Sequence, residues 1–296
     1  MLPALAGALL LLQQPPHESA GYVPQRVYDT REKRFSDFES MLADVARADV
    51  IFVGEQHGDR NTHRLELAIL QGLMRRRVPI VLALEMFERD VQPVVEKYAA
   101  GTIDEPAFLR ESRPWPRYAS DYRPLVEFAR AHRLPIVASN VPRHIASDVS
   151  KTGAGVLDSL GADRGFVARD LQCATSGPYY DRFVGEMTGH APDPKAPPPA
   201  GAGTDRFFLA QCLKDETMAE SVAAAFAKAS AERATIVHVN GAFHSDFGWG
   251  AAERTRRRLP GRRVAVVSIL PVDDIDAGRP DEDDLGRADY LIYTVK

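Results

Sequence analysis

The chain has 296 residues, of which 45% are hydrophobic, and its formal net charge at pH 7 is −4. This length and apolar content are sufficient for the core of one large domain, so they exclude a generally disordered chain. Short arginine runs at 75–77 and 256–258 fall where helix C-termini are expected, and the overall charge is nearly balanced, so nucleic acid is excluded as an expected partner.

Residues 1–25 form a signal-like segment. Residues 2–12 are an apolar run rich in Leu and Ala, and two prolines at 15 and 16 prevent it from continuing as a helix. The run is too short for a transmembrane span and has the character of a secretory signal, although no Lys or Arg precedes it. We therefore expect export to the periplasm or cell envelope, with peripheral envelope association, and one folded domain over residues 26–296.

Strand and helix patterns alternate through most of this domain. Apolar, β-branched segments without polar alternation predict buried strands at 49–54, 79–85, 135–140, 234–240, 263–270 and 290–295. Helical patterns separate them at 61–77, 90–100, 124–132, 215–231 and 251–258. This order predicts an α/β fold, with a three-layer, Rossmann-like, mostly parallel sheet and a small helical insert.

The insert, at about 143–210, is the stretch that interrupts the alternation. It contains short helical patterns and a Pro/Gly/Ala-rich run at 191–203, whose composition favours an exposed loop. The two cysteines of the chain, Cys173 and Cys212, are too few for a multi-cysteine zinc site. In an exported protein they could pair across the insert, or they could be two unrelated buried thiols.

Polar residues lie at the ends of four predicted strands. In an open parallel sheet, the loops after the carboxyl ends of the strands meet at one edge, where ligands usually bind. Any one of these residues could simply cap a helix or turn the chain, but their occurrence after four strands predicts a shared polar site. They are Glu55, His57, Glu85, Asn140, Arg143 and His244.

These side chains are suited to acid–base chemistry or to binding a divalent cation. Glu85 closes an apolar run, so its carboxylate needs a partner or a ligand that offsets its desolvation. We predict Glu55, His57, Glu85 and His244 as metal ligands and also as catalytic residues. Arg143 is the fifth predicted catalytic residue, and it would stabilise a developing oxyanion.

The joint order of the motifs resembles that of the ChaN family. Two Gly-x-x-His units follow strands, and glycine allows the backbone to turn sharply and approach a ligand. The resemblance extends from about residue 50 to residue 268. The ChaN family belongs to a superfamily that includes Tiki proteases and, more distantly, erythromycin esterases. The shared segments include VGEQH at 53–57, LEMF at 84–87, YRPL at 122–125, ASNVPR at 138–143 and HVNGAFH at 238–244.

The resemblance implies a haem-binding protein of bacterial iron and haem uptake. In the family, haem is associated with a tyrosine ligand and a nearby histidine between two protomers, which implies haem as the cofactor and a homodimer as the assembly. Tyr179, Tyr180 and His190 in the insert are the corresponding candidates, although these tyrosines could instead be ordinary packing residues of a helix.

The alternative function is a metal-dependent hydrolase of the peptidase or esterase type. Tiki-type relatives suggest it through paired Gly-x-x-His motifs and metal dependence, and erythromycin esterases suggest it through a histidine base. The strand-end residues favour this class, whereas the family favours haem, so the sequence leaves open whether the protein is an enzyme. A third alternative is a family member that has kept the fold and lost the ligand.

Overall fold

The computed structural model describes residues 23–76, 78–188, 202–277 and 280–296. The apolar run at 2–12, His190 and most of the Pro-rich run lie outside these ranges. Among the helices within them, none combines the length and apolar character needed to cross a membrane.

Eight strands of the described residues form one sheet, in the order β2-β1-β8-β7-β3-β6-β4-β5. Strands β3 to β8 run parallel and confirm the predicted α/β class, with boundaries that differ from the prediction by at most three residues. The strands are β1 Gln25–Asp29, β2 Arg34–Ser36, β3 Val50–Glu55, β4 Ile80–Glu88, β5 Ile136–Asn140, β6 Thr235–Gly241, β7 Val264–Val272 and β8 Tyr290–Val295.

Strands β1 and β2 were not predicted. They form an antiparallel pair at one edge of the sheet, where β1 also pairs antiparallel with β8. β2 is three residues long and half-exposed, and β1 has the mixed sequence QRVYD. Because an edge strand buries only part of its surface, neither segment carries the continuous apolar run that identifies the central strands.

Within the described ranges, ten α-helices connect and cover the strands. Helix α1 is capped by Asp37 and α2 by Asp59, each of which accepts a hydrogen bond from a backbone N–H three residues later. The helices are α1 Phe38–Val45, α2 Arg60–Arg75, α3 Gln92–Ala99, α4 Glu105–Ser112, α5 Tyr118–Asp121, α6 Arg123–Ala131, α7 Arg143–Thr152, α8 Pro178–Thr188, α9 Ala202–Ala229 and α10 Gly250–Arg258.

The sheet separates two apolar cores. In β3, Ile51 and Val53 belong to the core beneath α1 to α6, whereas Val50 and Phe52 belong to the core beneath α9 and α10. All six residues of β3 are buried. Burial on both faces is the physical reason why the central strands lack polar alternation.

Helices α7 and α8 pack against the first half of α9. Helix α9 begins at Ala202, so the predicted end of the insert at residue 210 falls inside a helix, and the last residues of the Pro-rich run are helical. Phe208 and Cys212 contact the cluster formed with α8, whereas Ala210 and Leu213 contact the cluster formed with α7. Apolar residues lie on both sides of the helix and leave no single apolar stripe. For this reason the sequence pattern predicts a helix only from residue 215, whereas α9 begins at Ala202.

A disulfide joins Cys173, before α8, to Cys212 in α9, with a Cα–Cα distance of 5.8 Å. Of the two alternatives for these cysteines, the structure therefore shows the pair. The bond closes a loop with a sequence separation of 39 and fixes the segment leading into α8 against α9. Restricting the unfolded chain in this way stabilises the folded state.

We predict that replacing both cysteines by serine lowers the free energy of unfolding by about 2–4 kcal/mol, because a loop of this size regains its freedom in the unfolded chain. Urea unfolding followed by circular dichroism measures the change. Dithiothreitol should destabilise the wild type by a similar amount and leave the double variant unaffected. A wild type that is insensitive to reduction would contradict the prediction.

Asp44 in α1 joins the helix to β8, to the residue before β7 and to the loop after β1. Its carboxylate accepts hydrogen bonds from Arg31 at 2.6 Å, Arg263 at 2.7 Å and Tyr290 at 3.0 Å. Although partial burial alone would raise the pKa of Asp44, these hydrogen bonds lower it to about 2. The resulting stabilisation is present above the unfolded pKa of about 3.9 and is lost as the pH falls through the folded value.

The change Asp44→Asn should lower the free energy of unfolding by about 2 kcal/mol at neutral pH, because Asn cannot supply the charge that the arginines and Tyr290 stabilise. The difference from the wild type should shrink as the pH falls from about 5 towards 2, when measured by urea unfolding at several pH values. The exposed Asp283→Asn is the control and should change stability by less than about 0.5 kcal/mol. A difference that is constant with pH would contradict this account.

Candidate functional site

A cavity of about 540 Å³ lies at the carboxyl ends of β3, β4 and β6. It brings together Glu55, His57, Glu85 and His244, which the sequence placed at one sheet edge. Arg143 does not line it: this side chain is 67% exposed and lies 3.9 Å from Glu88. The remaining lining residues are Gln56, Trp115, Arg182, Phe183, Glu186, Met187, Gln211, Lys214, Gly241, Ala242 and Phe243.

A larger cavity, of about 870 Å³, lies at the opposite edge of the sheet near the start of β4 and β5. Helices α3, α6 and α9 form its other walls. None of the predicted site residues lines it, and it contains no imidazole, so the chemistry of the described residues is concentrated at the strand ends.

His244 is held between two buried carboxylates. Its Nδ1 lies 2.6 Å from Asp215 Oδ1, and its Nε2 lies 3.3 Å from Glu85 Oε1. Although burial alone would lower the pKa of His244, Glu85 and Asp215 raise it to about 10. The ring is therefore an imidazolium at neutral pH, and it donates both of its N–H groups to carboxylates.

The charge of the buried Glu85 carboxylate is compensated by the same contact with His244. Burial alone would raise the pKa of Glu85, but the charges of His244 and His57 and a hydrogen bond from the Gly241 N–H at 2.7 Å lower it to about 2. A buried carboxylate without such partners would cost several kcal/mol. The sequence-based expectation that Glu85 needs a partner is therefore met by an imidazolium and a backbone donor.

A strand irregularity lies at Glu85. The β4–β5 register shifts between Leu84 and Glu88, which interrupts the ladder of backbone hydrogen bonds at this point. Side chains of β5 replace the missing partners, since Ser139 Oγ donates to the Leu84 carbonyl at 2.8 Å and Asn140 Nδ2 donates to the Glu85 carbonyl at 3.1 Å. Asn140 thus supports the site through the backbone of β4.

Helix α9 contributes two groups that the sequence did not identify as site residues. Asp215 and Gln211, one turn apart on α9, both contact the ring of His244. Asp215 also accepts a hydrogen bond from Tyr179 at 2.7 Å. The signal available in the sequence was a four-residue spacing of polar side chains across the start of the helix predicted at 215–231, which in the structure begins at Ala202.

The predicted tyrosines are both buried and hydrogen-bonded. Tyr179 donates to Asp215, and burial together with this carboxylate raises the pKa of Tyr179 well above its usual value. Tyr180 donates to Asp205 at 2.5 Å, and this bond raises the pKa of Tyr180 to about 12. His190 lies outside the described residues, so its predicted role stays a prediction.

His57 presents the most accessible imidazole of the cavity. Its Nδ1 makes a short hydrogen bond with Glu55 Oε1, and its side chain is 50% exposed. Burial alone would lower the pKa of His57, whereas Glu55 and Glu85 raise it. Among the described residues Nε2 has no hydrogen-bond partner, and it lies beside Gly241 in the lining of the cavity.

Both Gly-x-x-His units depend on close packing at their glycines. A Cβ at Gly54 would lie 3.0 Å from the Cα of Ala242, and a Cβ at Gly241 would lie 2.8 Å from the ring of His57. The two loops therefore approach each other through their glycines, and the ring of His57 lies against the backbone of the second unit. This contact gives the paired motif a steric explanation.

The change Gly241→Ala should displace the ring of His57, because the added methyl group occupies its position. We expect shifted His57 signals in an imidazole ¹⁵N NMR spectrum and a loss of about 1–3 kcal/mol of stability from overpacking. Gly58→Ala is the matched control, since a Cβ there has no neighbour within 4 Å. Unchanged His57 signals in Gly241→Ala would contradict the proposed packing.

Comparison with known proteins gives one family. A family model described as haem-binding uptake, Tiki superfamily, ChaN matches residues 41–255, well over half of the chain. Among solved structures, this chain is similar to ChaN of Campylobacter jejuni, whose structure is described as showing cofacial haem binding. The two share 16% identity with a TM-score of 0.65, and the match covers 92% of this chain and 97% of that chain.

Two further similarities are weaker. A Bacillus cereus protein shares 13% identity over 86% of this chain and 90% of that chain, with a TM-score of 0.47. The type III effector HopBA1 shares 12% identity over 94% of this chain and 99% of that chain, also with a TM-score of 0.47. Neither supports a functional argument, and the search of curated proteins finds no match.

Proposed function

Since this chain belongs to the ChaN family of haem-binding uptake proteins, we propose that it binds haem in the cavity at the strand ends. The family match is the observation that carries the proposal. The cavity volume of about 540 Å³ is within the usual range for small-molecule sites.

The lining of the cavity suits the three chemical features of haem. Trp115, Phe183 and Phe243 offer aromatic surface to a flat apolar macrocycle. Arg182 and Lys214 offer positive charge to the propionate groups. The third feature, an iron that accepts nitrogen or oxygen ligands, requires one more side chain.

His57 is the side chain best placed to bind the iron. Its ring lines the cavity and Nε2 has no hydrogen-bond partner among the described residues, while Nδ1 is held by Glu55. A histidine that ligates a metal commonly bonds a carboxylate through its other nitrogen. Tyr179 and Tyr180 would first have to leave their carboxylate partners and lose a proton whose pKa is raised. The proposal therefore favours histidine over the tyrosine ligand that the resemblance implies.

The test is a hemin titration followed by visible absorption. Wild type should bind hemin with a Soret band typical of a nitrogen ligand, and His57→Gln should weaken binding by at least about tenfold because the iron loses its ligand. His144→Gln, which changes an exposed histidine outside the cavity, is the control and should bind as the wild type does.

The matched variants Tyr179→Phe and Tyr180→Phe test the other ligand. If either one abolishes a tyrosine-type spectrum while His57→Gln has no effect, haem binding survives but the assignment of His57 does not. If wild type shows no spectral change with hemin, the proposed function itself is wrong.

The proposal extends to the compartment and the assembly. A disulfide within the insert suits an oxidising compartment, which agrees with the export expected from the sequence. We also propose that the protein acts in iron or haem uptake in the envelope and that it forms a homodimer. Mass measurement by light scattering, with and without hemin, tests the dimer. A monomer in both conditions would contradict that part.

The metal-dependent hydrolase that the sequence left open is not favoured. Both nitrogens of His244 are engaged by carboxylates, so this ring has no lone pair for a cation and no basic nitrogen for a general base. Arg143, the predicted oxyanion donor, lies outside the cavity. The predicted shared metal site of His57, Glu85 and His244 is thus without support from the geometry.

A further inference from the structure

A second group of titratable side chains lies behind Glu55, on the side away from the cavity. His63 and Glu66, both on α2, meet Glu55 there, and one ligand atom from each lies within 4.8 Å of the other two. The side chains of Glu55 and Glu66 are fully buried and that of His63 is 3% exposed. His63 and Glu66 do not line the haem cavity.

The contacts of His63 define which of its nitrogens carries a proton. Nε2 lies 3.2 Å from the backbone carbonyl oxygen of His57 and 3.5 Å from Asp121 Oδ2. A carbonyl oxygen only accepts hydrogen bonds, so Nε2 is the protonated donor. Nδ1 faces the other way, 3.2 Å from Glu55 Oε2 and 3.3 Å from Glu66 Oε2.

Two buried carboxyl groups facing one ring nitrogen need either a cation or an added proton to offset their charge, and burial and the charge of Glu55 raise the pKa of Glu66. A proton on Nδ1 can point at only one oxygen, and Glu66 Oε2 is the one with hydrogen-bond geometry. Glu55 Oε2 and Glu66 Oε1 are buried and have no hydrogen-bond partner among the described residues. A single cation would bond to both carboxylates and to Nδ1 at once.

The spacing of these atoms suits a small divalent cation. Bonds of about 2.0–2.2 Å from a metal to nitrogen and oxygen place neighbouring ligand atoms roughly 3.0–3.5 Å apart. The distances from His63 Nδ1 to Glu55 Oε2 and Glu66 Oε2, 3.2 and 3.3 Å, fall in this range. A histidine that donates its other N–H to a backbone carbonyl is also the usual arrangement around a protein-bound metal.

We infer that Glu55, His63 and Glu66 bind a divalent first-row cation, with Mn²⁺ and Zn²⁺ as the ions best suited to one imidazole and two carboxylates. Only Glu55 is shared with the metal ligands predicted from the sequence. Its Oε1 accepts hydrogen bonds from His57 and from Tyr122, so the cation fixes the carboxylate that orients His57. The inference stands apart from haem binding.

The binding test uses haem-free protein stripped with EDTA and then dialysed against MnCl₂ or ZnCl₂. We expect one ion per chain by elemental analysis, and Glu66→Gln should weaken its affinity by at least about 100-fold because one anionic ligand is lost. Glu32→Gln is the matched control: it changes an exposed carboxylate that lines neither the haem cavity nor the proposed cation site, and it should bind the ion as the wild type does.

A measurement on the wild type locates the ion even if Glu66→Gln does not fold. Electron spin echo spectroscopy of the Mn²⁺-loaded protein should show one imidazole nitrogen, and His63→Gln should remove that signal. Wild type without a bound ion, or Glu66→Gln with unchanged affinity, overturns the inference. Two imidazole nitrogens, with loss of the ion in His244→Gln, would place the cation in the cavity and overturn it as well. Hemin titration of the same samples keeps this result separate from the proposed function.

Discussion

Two carboxylates buried on either side of β6 determine how the strand-end site is built. Glu55 ends β3 and Glu85 lies in β4, and both are nearly inaccessible to solvent. Leaving either charge uncompensated would cost several kcal/mol, a large fraction of the stability of a typical domain. The imidazoles of His57, His63 and His244 surround them for this reason.

The compensation of Glu85 also connects the insert to the sheet. His244 follows β6, and its ring joins Glu85 of β4 to Asp215 of α9. Tyr179 of α8 then bonds Asp215, and the disulfide at Cys212 holds the segment before α8 to α9. The position of the insert over the cavity therefore depends on the same ion pairs that allow Glu85 to be buried.

The carboxylate of Glu55 lies between two groups of side chains. Its Oε1 faces His57 and the cavity, whereas its Oε2 faces His63 and the buried group on α2. One carboxylate thus orients an accessible imidazole on one side and contributes to a cation-binding arrangement on the other. Ligand chemistry in the cavity can then be tuned by groups that no cavity ligand touches.

Much of this arrangement was predictable because it follows from chain topology. Apolar runs predicted the six parallel strands, and parallel topology implies that Glu55, His57, Glu85 and His244 meet at one edge. Arg143 was expected there too, but it begins α7 and its side chain extends to solvent. The position of a strand end determines where the backbone of the following residues lies. The direction of the helix that comes next determines whether their side chains point into the site.

The partners of these residues were not predictable in the same way. Asp215 and Gln211 reach the site from a helix that is buried on two sides and therefore lacks a single apolar stripe. Glu66 falls on the buried face of α2 with Ile69 and Leu73, but the sequence pattern does not show that Glu55 of β3 is its neighbour there. Long-range pairing of this kind is a property of the packed structure.

The protonation state of His244 tests the central claim most directly. Imidazole ¹⁵N NMR of the haem-free protein, with the signal assigned through His244→Gln, follows the ring across a pH series. The account predicts an imidazolium with both nitrogens protonated at neutral pH and a pKa of about 10, because Glu85 and Asp215 hold the charge. Titration of this ring near the ordinary value of about 6.5 would contradict it, since Glu85 would then be buried without its compensating charge.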